Sequence, residues 1–349
     1  MGIVLSGISA RTVYLSHAPL VPVRTQEECA EILRTATPSV EEAARVRGRE
    51  RYRVQLPDIA LLAGLPVDEV PVQTLARRRG DRRRADSLQT RLWTGPLFDG
   101  ALCRVVTEDD EDVFVVSPAF HVVLRCLELP FPAALMLAME LCGTYELRPT
   151  LETGFAKQQR ALTCAEEIRR GVEQIDGRRS PGSQLKGIRT ARMVAKGVID
   201  GSASPRESGL AALLSLPKRR GGAGLDGLVL NCAKELTGAA GAFLPGQRHI
   251  VYDLFWPEAH LGLEYDSSAW HAEDGARDRD GRRRLAADAM GDELLSISPT
   301  LCRSPAMVDE LVETVAAKLG KPGSKGVSQR TRCRQRELRS VCLGRHCWW

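Results

Sequence analysis

The chain has 349 residues, of which 43% are hydrophobic, and a formal net charge of +5. This length exceeds one typical domain, and the apolar content is ample for a core. No apolar run approaches the roughly 20 residues of a membrane span, and the first apolar stretch is interrupted by Arg11 too early for a signal peptide. Ten scattered cysteines indicate reduced thiols rather than a disulfide framework. We therefore expect a cytoplasmic protein with no membrane partner.

Residues 1–68 are predicted to form a helical module. Residues 1–24 contain no strong pattern, and short helices separated by Pro and Gly are indicated at 26–33, 40–46 and 58–63. Such helices fit a small winged-helix module of degenerate form. A plain helical cap on the next domain explains them equally well.

Residues 69–175 are predicted to be a β-rich and then helical middle domain. Short strands separated by turn residues are indicated at 70–75, 88–93, 101–106 and 113–116. Two apolar helices follow, at 117–126 and 132–142, and both begin with proline in the first turn. Residues 176–203 are predicted to be a linker and a helix, because the Gly- and Ser-rich run from Gly177 to Ser183 favours a flexible connection.

The stretch from His249 to Asp288 holds the densest set of residues that could do chemistry. Its hydrophobic alternation predicts two strands joined by a turn at Pro257. Period two places Glu264 and Asp266 on one face of the second strand. In a hairpin, Asp253 on the first strand can lie across from them. Three carboxylates would then converge, with His271 just beyond.

A cluster of buried carboxylates requires a cation, a shared proton or open water, because like charges repel. Oxygen ligands suit a hard divalent cation, so Mg²⁺ or Mn²⁺ bound by Asp253, Glu264 and Asp266 is the predicted cofactor. Such a metal can activate water for phosphodiester hydrolysis. His271 could serve as general base, proton donor or ligand. The alternative is a structural hairpin whose acids face solvent.

Two features beside this cluster have competing interpretations. Arg282, Arg283 and Arg284 follow it on a predicted basic helix and could bind DNA phosphates, although a solvated helix face explains most arginine runs. Glu207 follows Ser204 and Pro205 at a helix start, where a capping-box carboxylate belongs. It could instead supply a further catalytic or metal-binding carboxylate, but not with the same oxygens.

The chain from His249 to Asp288 resembles the endonuclease-like domain related to very-short-patch-repair (Vsr) enzymes of the PD-(D/E)XK superfamily. The matching residues are Asp253, Trp256, Pro257, Glu258, Leu261, Glu264, Tyr265, Asp266, Ser267, His271, Asp280, Arg283 and Arg284. Glu207 stands at the start of the first helix of the resemblance, which covers residues 204–319. It implies a restriction-endonuclease-like mixed sheet flanked by helices, and metal-dependent cleavage of DNA. The superfamily's lysine is replaced by Asp266, which shifts the expected mechanism to aspartate and histidine.

In residues 40–147, a small helical module is followed by strands ending in a Trp-Thr-Gly-Pro turn (93–96), then by Val-Ser-Pro (116–118) and Leu-Cys-Gly-Thr-Tyr (141–145). This order weakly resembles bacterial proteins related to the type IV abortive-infection antitoxins. It implies a non-cleaving DNA-binding regulator on a nuclease-like scaffold, with a toxin or regulatory partner. The whole chain is thus predicted to be α+β or α/β, with the nuclease-like domain at 204–319. The basic segment 320–349 has little apolar periodicity and is predicted to be a disordered tail.

Overall fold

The computed structural model describes residues 2–106, 113–179, 185–265, 274–323 and 326–344. Two compact units divide the chain: unit 1 comprises residues 1–142 and 146–198, and unit 2 comprises residues 143–145 and 199–346. Mixed sheets flanked by helices give a mixed α+β fold, as the sequence predicts. Within the described ranges, no helix is both long and apolar enough to cross a membrane.

Unit 1 contains a mixed seven-stranded sheet in the order β2-β6-β7-β1-β3-β5-β4. Its strands are β1 (Ile3–Leu5), β2 (Leu20–Pro22), β3 (Val72–Ala76), β4 (Arg84–Ala85), β5 (Leu88–Leu92), β6 (Leu102–Val105) and β7 (Val113–Val116). A separate two-stranded sheet joins β8 (Tyr145–Leu147) to β9 (Phe155–Lys157). The four predicted strands of the middle region are confirmed as β3, β5, β6 and β7.

Helices surround this sheet. They are α1 (Gly7–Leu15), α2 (Gln26–Thr35), α3 (Val40–Gly48), α4 (Glu50–Arg53), α5 (Leu56–Ala63), α6 (Pro118–Arg125), α7 (Phe131–Leu141), α8 (Ala165–Gly177) and α9 (Ile188–Gly197). The predicted caps form: the Ser117 hydroxyl accepts the Phe120 N–H at 3.3 Å, and Gly64 ends α5 in the left-handed conformation at φ 65°. Both apolar helices of the middle region are confirmed.

The first 68 residues do not form a module of their own. β1 lies within the seven-stranded sheet, where it pairs in parallel with β7 and antiparallel with β3. The absence of a strong element in residues 1–24 was a wrong prediction. Helix α1 follows β1 directly and is buried along nearly its whole length. A helix buried on all sides lacks the polar stripe by which amphipathic helices are recognised.

A buried ion pair lies in the core of unit 1. Arg11 of α1 donates to a carboxylate oxygen of Glu140 of α7, and each side chain is 1% exposed. The same oxygen of Glu140 accepts the Leu147 N–H at 2.7 Å. Burial raises the pKa of Glu140, although Arg11 opposes that shift. Nearby, burial and the positive charges of Arg125 and Arg11 hold the pKa of His121 well below its ordinary value.

Unit 2 is built on a four-stranded sheet in the order β10-β11-β12-β13. Its strands are β10 (Val229–Glu235), β11 (His249–Trp256), β12 (Leu261–Tyr265) and β13 (Glu293–Ile297). The predicted hairpin is confirmed, since β11 pairs antiparallel with β12. Its helices are α10 (Pro205–Ser215), α11 (Ala240–Phe243), α12 (Asp274–Ala289), α13 (Pro299–Arg303), α14 (Pro305–Lys318) and α15 (Gln329–Cys342), with a 3₁₀ turn at Lys218–Arg220.

Residues 326–344, within the segment 320–349 predicted to be a disordered tail, contain a helix that packs on unit 2. Residues 329–342 form α15, in which Leu338 and Cys342 are fully buried. A Cβ atom on Gly209 of α10 would lie 2.3 Å from the Cys342 carbonyl oxygen, so the two helices touch through their backbones. Most side chains of α15 are polar, so its sequence shows no apolar periodicity that would predict this contact. The close approach at glycine and two buried apolar residues are enough to pack the helix against α10.

Candidate functional site

The candidate site lies where β11 and β12 stop pairing. The last paired residues are Leu254 and Leu263, and beyond them Asp253 and Glu264 would be the next pair. In place of a backbone ladder, an Asp253 carboxylate oxygen accepts the Tyr265 N–H at 2.8 Å. The Asp253 side chain therefore fixes the point at which the strands separate, and it is only partly exposed.

Strict strand alternation fails at this position. Ile250, Tyr252 and Phe255 belong to one hydrophobic cluster, whereas period two would put Phe255 on the opposite face from the other two. The pairing of β10 with β11 skips the position where Asn231 faces Asp253. Asn231 has φ 46°, a left-handed conformation that disrupts a strand and that asparagine tolerates better than most residues. The irregular backbone re-aims the side chains around Asp253.

Glu207 at the start of α10 holds this irregular strand. One of its carboxylate oxygens, Oε2, accepts the Asn231 side-chain N–H at 2.6 Å and the Ala203 backbone N–H at 2.7 Å. The Ser204 hydroxyl accepts the Glu207 N–H at 3.2 Å, as the predicted cap requires. Glu207 thus satisfies a helix-start amide, and it also reaches across to the strand beside Asp253. Its catalytic or metal-binding role stays a prediction.

The electrostatic environment of Asp253 is unusual for an aspartate. Burial raises its pKa, and the neighbouring carboxylates of Glu207 and Glu264 raise it further. The Tyr265 N–H and the Arg283 guanidinium only partly offset these effects, so the pKa is about 7. Acids from α10, β11 and β12 therefore act on one another, and perturbed carboxyl groups of this kind are frequent at functional sites.

Arg283 of α12 neutralises Glu264. Its guanidinium donates to both carboxylate oxygens of Glu264, with the Nε contact at 3.3 Å, and to the Val251 carbonyl oxygen at 2.7 Å. Burial lowers the pKa of Arg283, but the Glu264 carboxylate outweighs it and the net shift is upward. This bidentate pair bridges α12 to both strands of the hairpin.

The three arginines predicted to contact DNA point in different directions. Arg283 faces the hairpin as described. Arg282 pairs with Asp278 one turn earlier at 2.6 Å and is exposed. Arg284 donates to the Ser296 hydroxyl of β13 at 3.0 Å. Arg282 and Arg284 remain at the surface, whereas Arg283 is committed to the site itself.

Two predicted site residues, Asp266 and His271, lie outside the described residues. Among the residues that are described, no group of three or more His, Cys, Asp or Glu side chains is close enough to hold a metal. The donor chemistry of Asp253, Glu264 and Glu207 suits a hard cation. The oxygens of Glu264 are occupied by Arg283 and Oε2 of Glu207 by Asn231, so a Mg²⁺ or Mn²⁺ site would need Arg283 to move or Asp266 to contribute.

Sequence reasoning missed a second polar cluster, centred on Asp292. This carboxylate is fully buried and binds the Lys234 ammonium at 2.5 and 2.8 Å, the Tyr252 hydroxyl at 2.8 Å and the His260 ring at 2.9 Å. Burial opposes its ionisation, but hydrogen bonds from Lys234, His260 and Tyr252 lower its pKa overall. In the sequence, Gly291-Asp292 reads as an ordinary turn between helix and strand, which hides this role.

The raised pKa of Asp253 predicts that Asp253→Asn stabilises unit 2 above pH 7. Between pH about 4 and 7 the folded state binds more protons than the unfolded state, so wild-type stability falls as pH rises. The full shift would correspond to about 4 kcal/mol, and solvent screening of the partly exposed group reduces the expected gain to about 1–2 kcal/mol. Urea unfolding at pH 8 and pH 4 measures it.

The gain should vanish near pH 4, where the unfolded carboxyl group is itself half protonated. Asp288→Asn, at an exposed position of α12, is the matched control and should be neutral at both pH values. A loss of stability in Asp253→Asn at pH 8 would contradict the environment assigned to Asp253.

Comparison with known proteins adds no relative: no family model matches the chain, and it has no match among curated proteins or solved structures.

Proposed function

We propose that unit 2 is a metal-dependent DNA endonuclease or nickase of the Vsr-like kind. The observation that carries the proposal is the placement of Asp253, Glu264 and Glu207 at the point where β11 and β12 separate: Asp253 accepts the Tyr265 N–H there, and Glu207 holds Asn231 opposite it. Carboxylates gathered at the end of a β-hairpin are what a phosphodiesterase needs to bind a divalent cation.

The residues have distinct roles in this proposal. Asp253 and Glu264 are the metal ligands, and Glu207 supports them by holding Asn231 and the irregular strand opposite Asp253. When bound, Mg²⁺ or Mn²⁺ supplies Lewis acidity at the phosphate and at the attacking water. Asp266 and His271 are retained from the sequence as the residues that orient the water and transfer the proton.

Arg283 gives the proposal a specific conformational requirement. The guanidinium must release Glu264 before that carboxylate can bind a cation, and it is then available to a phosphate. A phosphodiester entering the site offers arginine a bidentate partner in exchange for the one it gives up. Substrate binding and assembly of the metal ligands would then be linked.

The test is nicking of supercoiled plasmid by the full-length chain with Mg²⁺ or Mn²⁺. The variant Asp253→Ala/Glu264→Ala should lose activity by about 100-fold or more, since it removes both proposed ligands. The control is Asp278→Ala/Asp288→Ala, which removes two exposed carboxylates of α12 instead. Full nicking by the Asp253/Glu264 variant would sink the assignment.

A second candidate is a non-cleaving DNA-binding regulator of the abortive-infection antitoxin kind. The observation that favours it is the bidentate pairing of Arg283 with Glu264, because a guanidinium can take the place of a metal in a nuclease-like scaffold. It predicts salt-dependent DNA binding without nicking in either metal. Nicking by the wild type that disappears in the Asp253/Glu264 variant would exclude it.

A further inference from the structure

The exposed side of α15 carries several arginines and one exposed carboxylate, Glu337. Arg336 donates to the Cys333 Sγ atom at 3.4 Å. Arg330, Arg332 and Arg336 are all exposed, and so is Arg219 in the 3₁₀ turn Lys218–Arg220 beside the helix. Among the described residues, no carboxylate lies within ion-pair distance of any of these four guanidinium groups. Surface arginines commonly find acidic neighbours, as Arg339 of the same helix does with Asp309. We refer to Arg219, Arg330, Arg332 and Arg336 as the α15 track.

The track belongs to the folded body of unit 2. Gly209 of α10 lies against the Cys342 carbonyl, and Gly221, at φ 95°, lies so close to Arg334 that a Cβ atom would be 2.5 Å from its carbonyl oxygen. The Arg334 side chain donates to the Arg219 carbonyl oxygen at 2.7 Å. Glycine at both contacts lets α15 approach closely and fixes the position of its arginines.

One end of α15 reaches the candidate site. The Arg206 side chain donates to the Leu343 carbonyl oxygen at 2.6 Å, at the C-terminal end of α15. Arg206 directly precedes Glu207, which holds Asn231 opposite Asp253. The middle of α15, at Arg334, lies against the 3₁₀ turn Lys218–Arg220. Helix α15, with five arginines and one glutamate, therefore runs from that turn toward the start of α10 and the acid cluster.

The dimensions of the track match a nucleic-acid backbone. The 14 residues of α15 span about 21 Å, and a DNA strand places one phosphate every 3.4 Å or so along the duplex axis. About six phosphates of one strand would pass along the helix. Like charges are also crowded here, since burial together with the charges of Arg219 and Arg334 lowers the pKa of Arg220. A polyanion would relieve that repulsion.

We propose that the α15 track is a phosphate-backbone contact surface for duplex DNA, which guides the substrate strand toward the acid cluster. The inference rests on the proposed nuclease function. Guanidinium groups that face solvent along one helix bind phosphates without reading bases, so the track supplies affinity and register rather than sequence specificity. It also gives the proposed enzyme a positively charged surface that Arg283, committed to Glu264, does not provide.

The test measures binding of a short labelled DNA duplex to the full-length chain in EDTA, across about 50 to 200 mM salt. The variant Arg330→Ala/Arg332→Ala/Arg336→Ala should bind at least tenfold or so more weakly, and the slope of log affinity against log salt should fall by about 2 to 3. The corresponding triple lysine variant keeps the charges and should bind much like the wild type, which excludes misfolding as the cause.

The matched control is Arg24→Ala/Arg160→Ala/Arg170→Ala, which removes the same charge from exposed positions of unit 1. An unchanged salt slope in the α15 alanine variant overturns the inference. Plasmid nicking by the wild type with Mg²⁺ or Mn²⁺, assayed separately without EDTA, would show that the nuclease proposal survives it. If the alanine variant has a reduced salt slope but the wild type nicks no plasmid with Mg²⁺ or Mn²⁺, the α15 track is supported and the nuclease proposal fails.

Discussion

Asp292→Ala is expected to lower the free energy of unfolding of unit 2 by about 3–5 kcal/mol, the range for breaking a buried charge network by removing one partner. The carboxylate is fully buried and is the common acceptor for Lys234, Tyr252 and His260. Its removal leaves the Tyr252 hydroxyl, on a buried ring, without its acceptor. It also removes the anion that balances the Lys234 ammonium packed over the Phe255 ring.

Amide hydrogen exchange of peptides from β11, β12 and β13 would report this loss for unit 2 separately from unit 1. Asp309→Ala is the matched control, because Asp309 also pairs with a basic side chain but is 57% exposed. It should cost no more than about 1 kcal/mol. If Asp292→Ala and Asp309→Ala show similar protection from amide hydrogen exchange, the buried cluster around Asp292 contributes no more to the stability of unit 2 than the exposed ion pair does.

The pH dependence of this contribution follows from the lowered pKa of Asp292. A carboxyl group with a depressed folded pKa binds fewer protons in the folded state than in the unfolded state. Its stabilisation is therefore present above the unfolded pKa of about 4 and is lost as pH falls through the folded value. Asp253 shows the opposite sign, with stability lost as pH rises toward 7. Asp253, in β11, and Asp292, just before β13, thus have opposite effects on the stability of unit 2 as pH falls.

The elements of the fold that the sequence predicts well are those with a visible polar face or a strong boundary. The hairpin of β11 and β12 has alternation and a proline turn, and α6 has a Ser-Pro start. The missed elements lack such contrast. Helix α1 is buried almost throughout, and α15 is so polar that its few docking residues are invisible to periodicity. Tertiary contacts decide both, and one sequence contains no direct record of them.

The candidate site likewise contains residues that the sequence predicts and contacts that only the fold determines. The sequence predicts Asp253 and Glu264 as candidate site residues from the hairpin pattern and the family resemblance, and their roles stay predictions. It does not reveal that Asn231 breaks the strand opposite Asp253, because the left-handed backbone depends on the side-chain bond to Glu207. Nor does it reveal that Arg283 pairs with Glu264, since that contact requires α12 to lie across the hairpin. Long-range partners are set by the fold.

Glu140→Ala is expected to destabilise unit 1 by about 3–5 kcal/mol, because it leaves the Arg11 guanidinium buried without its counter-charge. Arg11 and Glu140 are each 1% exposed. The substitution also deprives the Leu147 N–H of the carboxylate oxygen that accepts it at 2.7 Å. An exposed pair of the same chemistry, Arg169 with Glu166, is the control, and Glu166→Ala should cost about 0.5 kcal/mol or less.

The double variant Arg11→Met/Glu140→Leu should recover most of the stability lost in Glu140→Ala, because apolar side chains of similar volume avoid the cost of burying two charges. Hydrogen exchange of peptides from α1 and α7 measures the single and double variants in unit 1. If the double variant is as unstable as Glu140→Ala, the pair contributes packing and hydrogen bonds that methionine and leucine cannot replace. If it recovers, unit 1 does not need this ion pair for stability. In that case the ion pair would serve to select a single packing of α1 against α7. A double variant with normal stability but broadened side-chain NMR resonances would show this role.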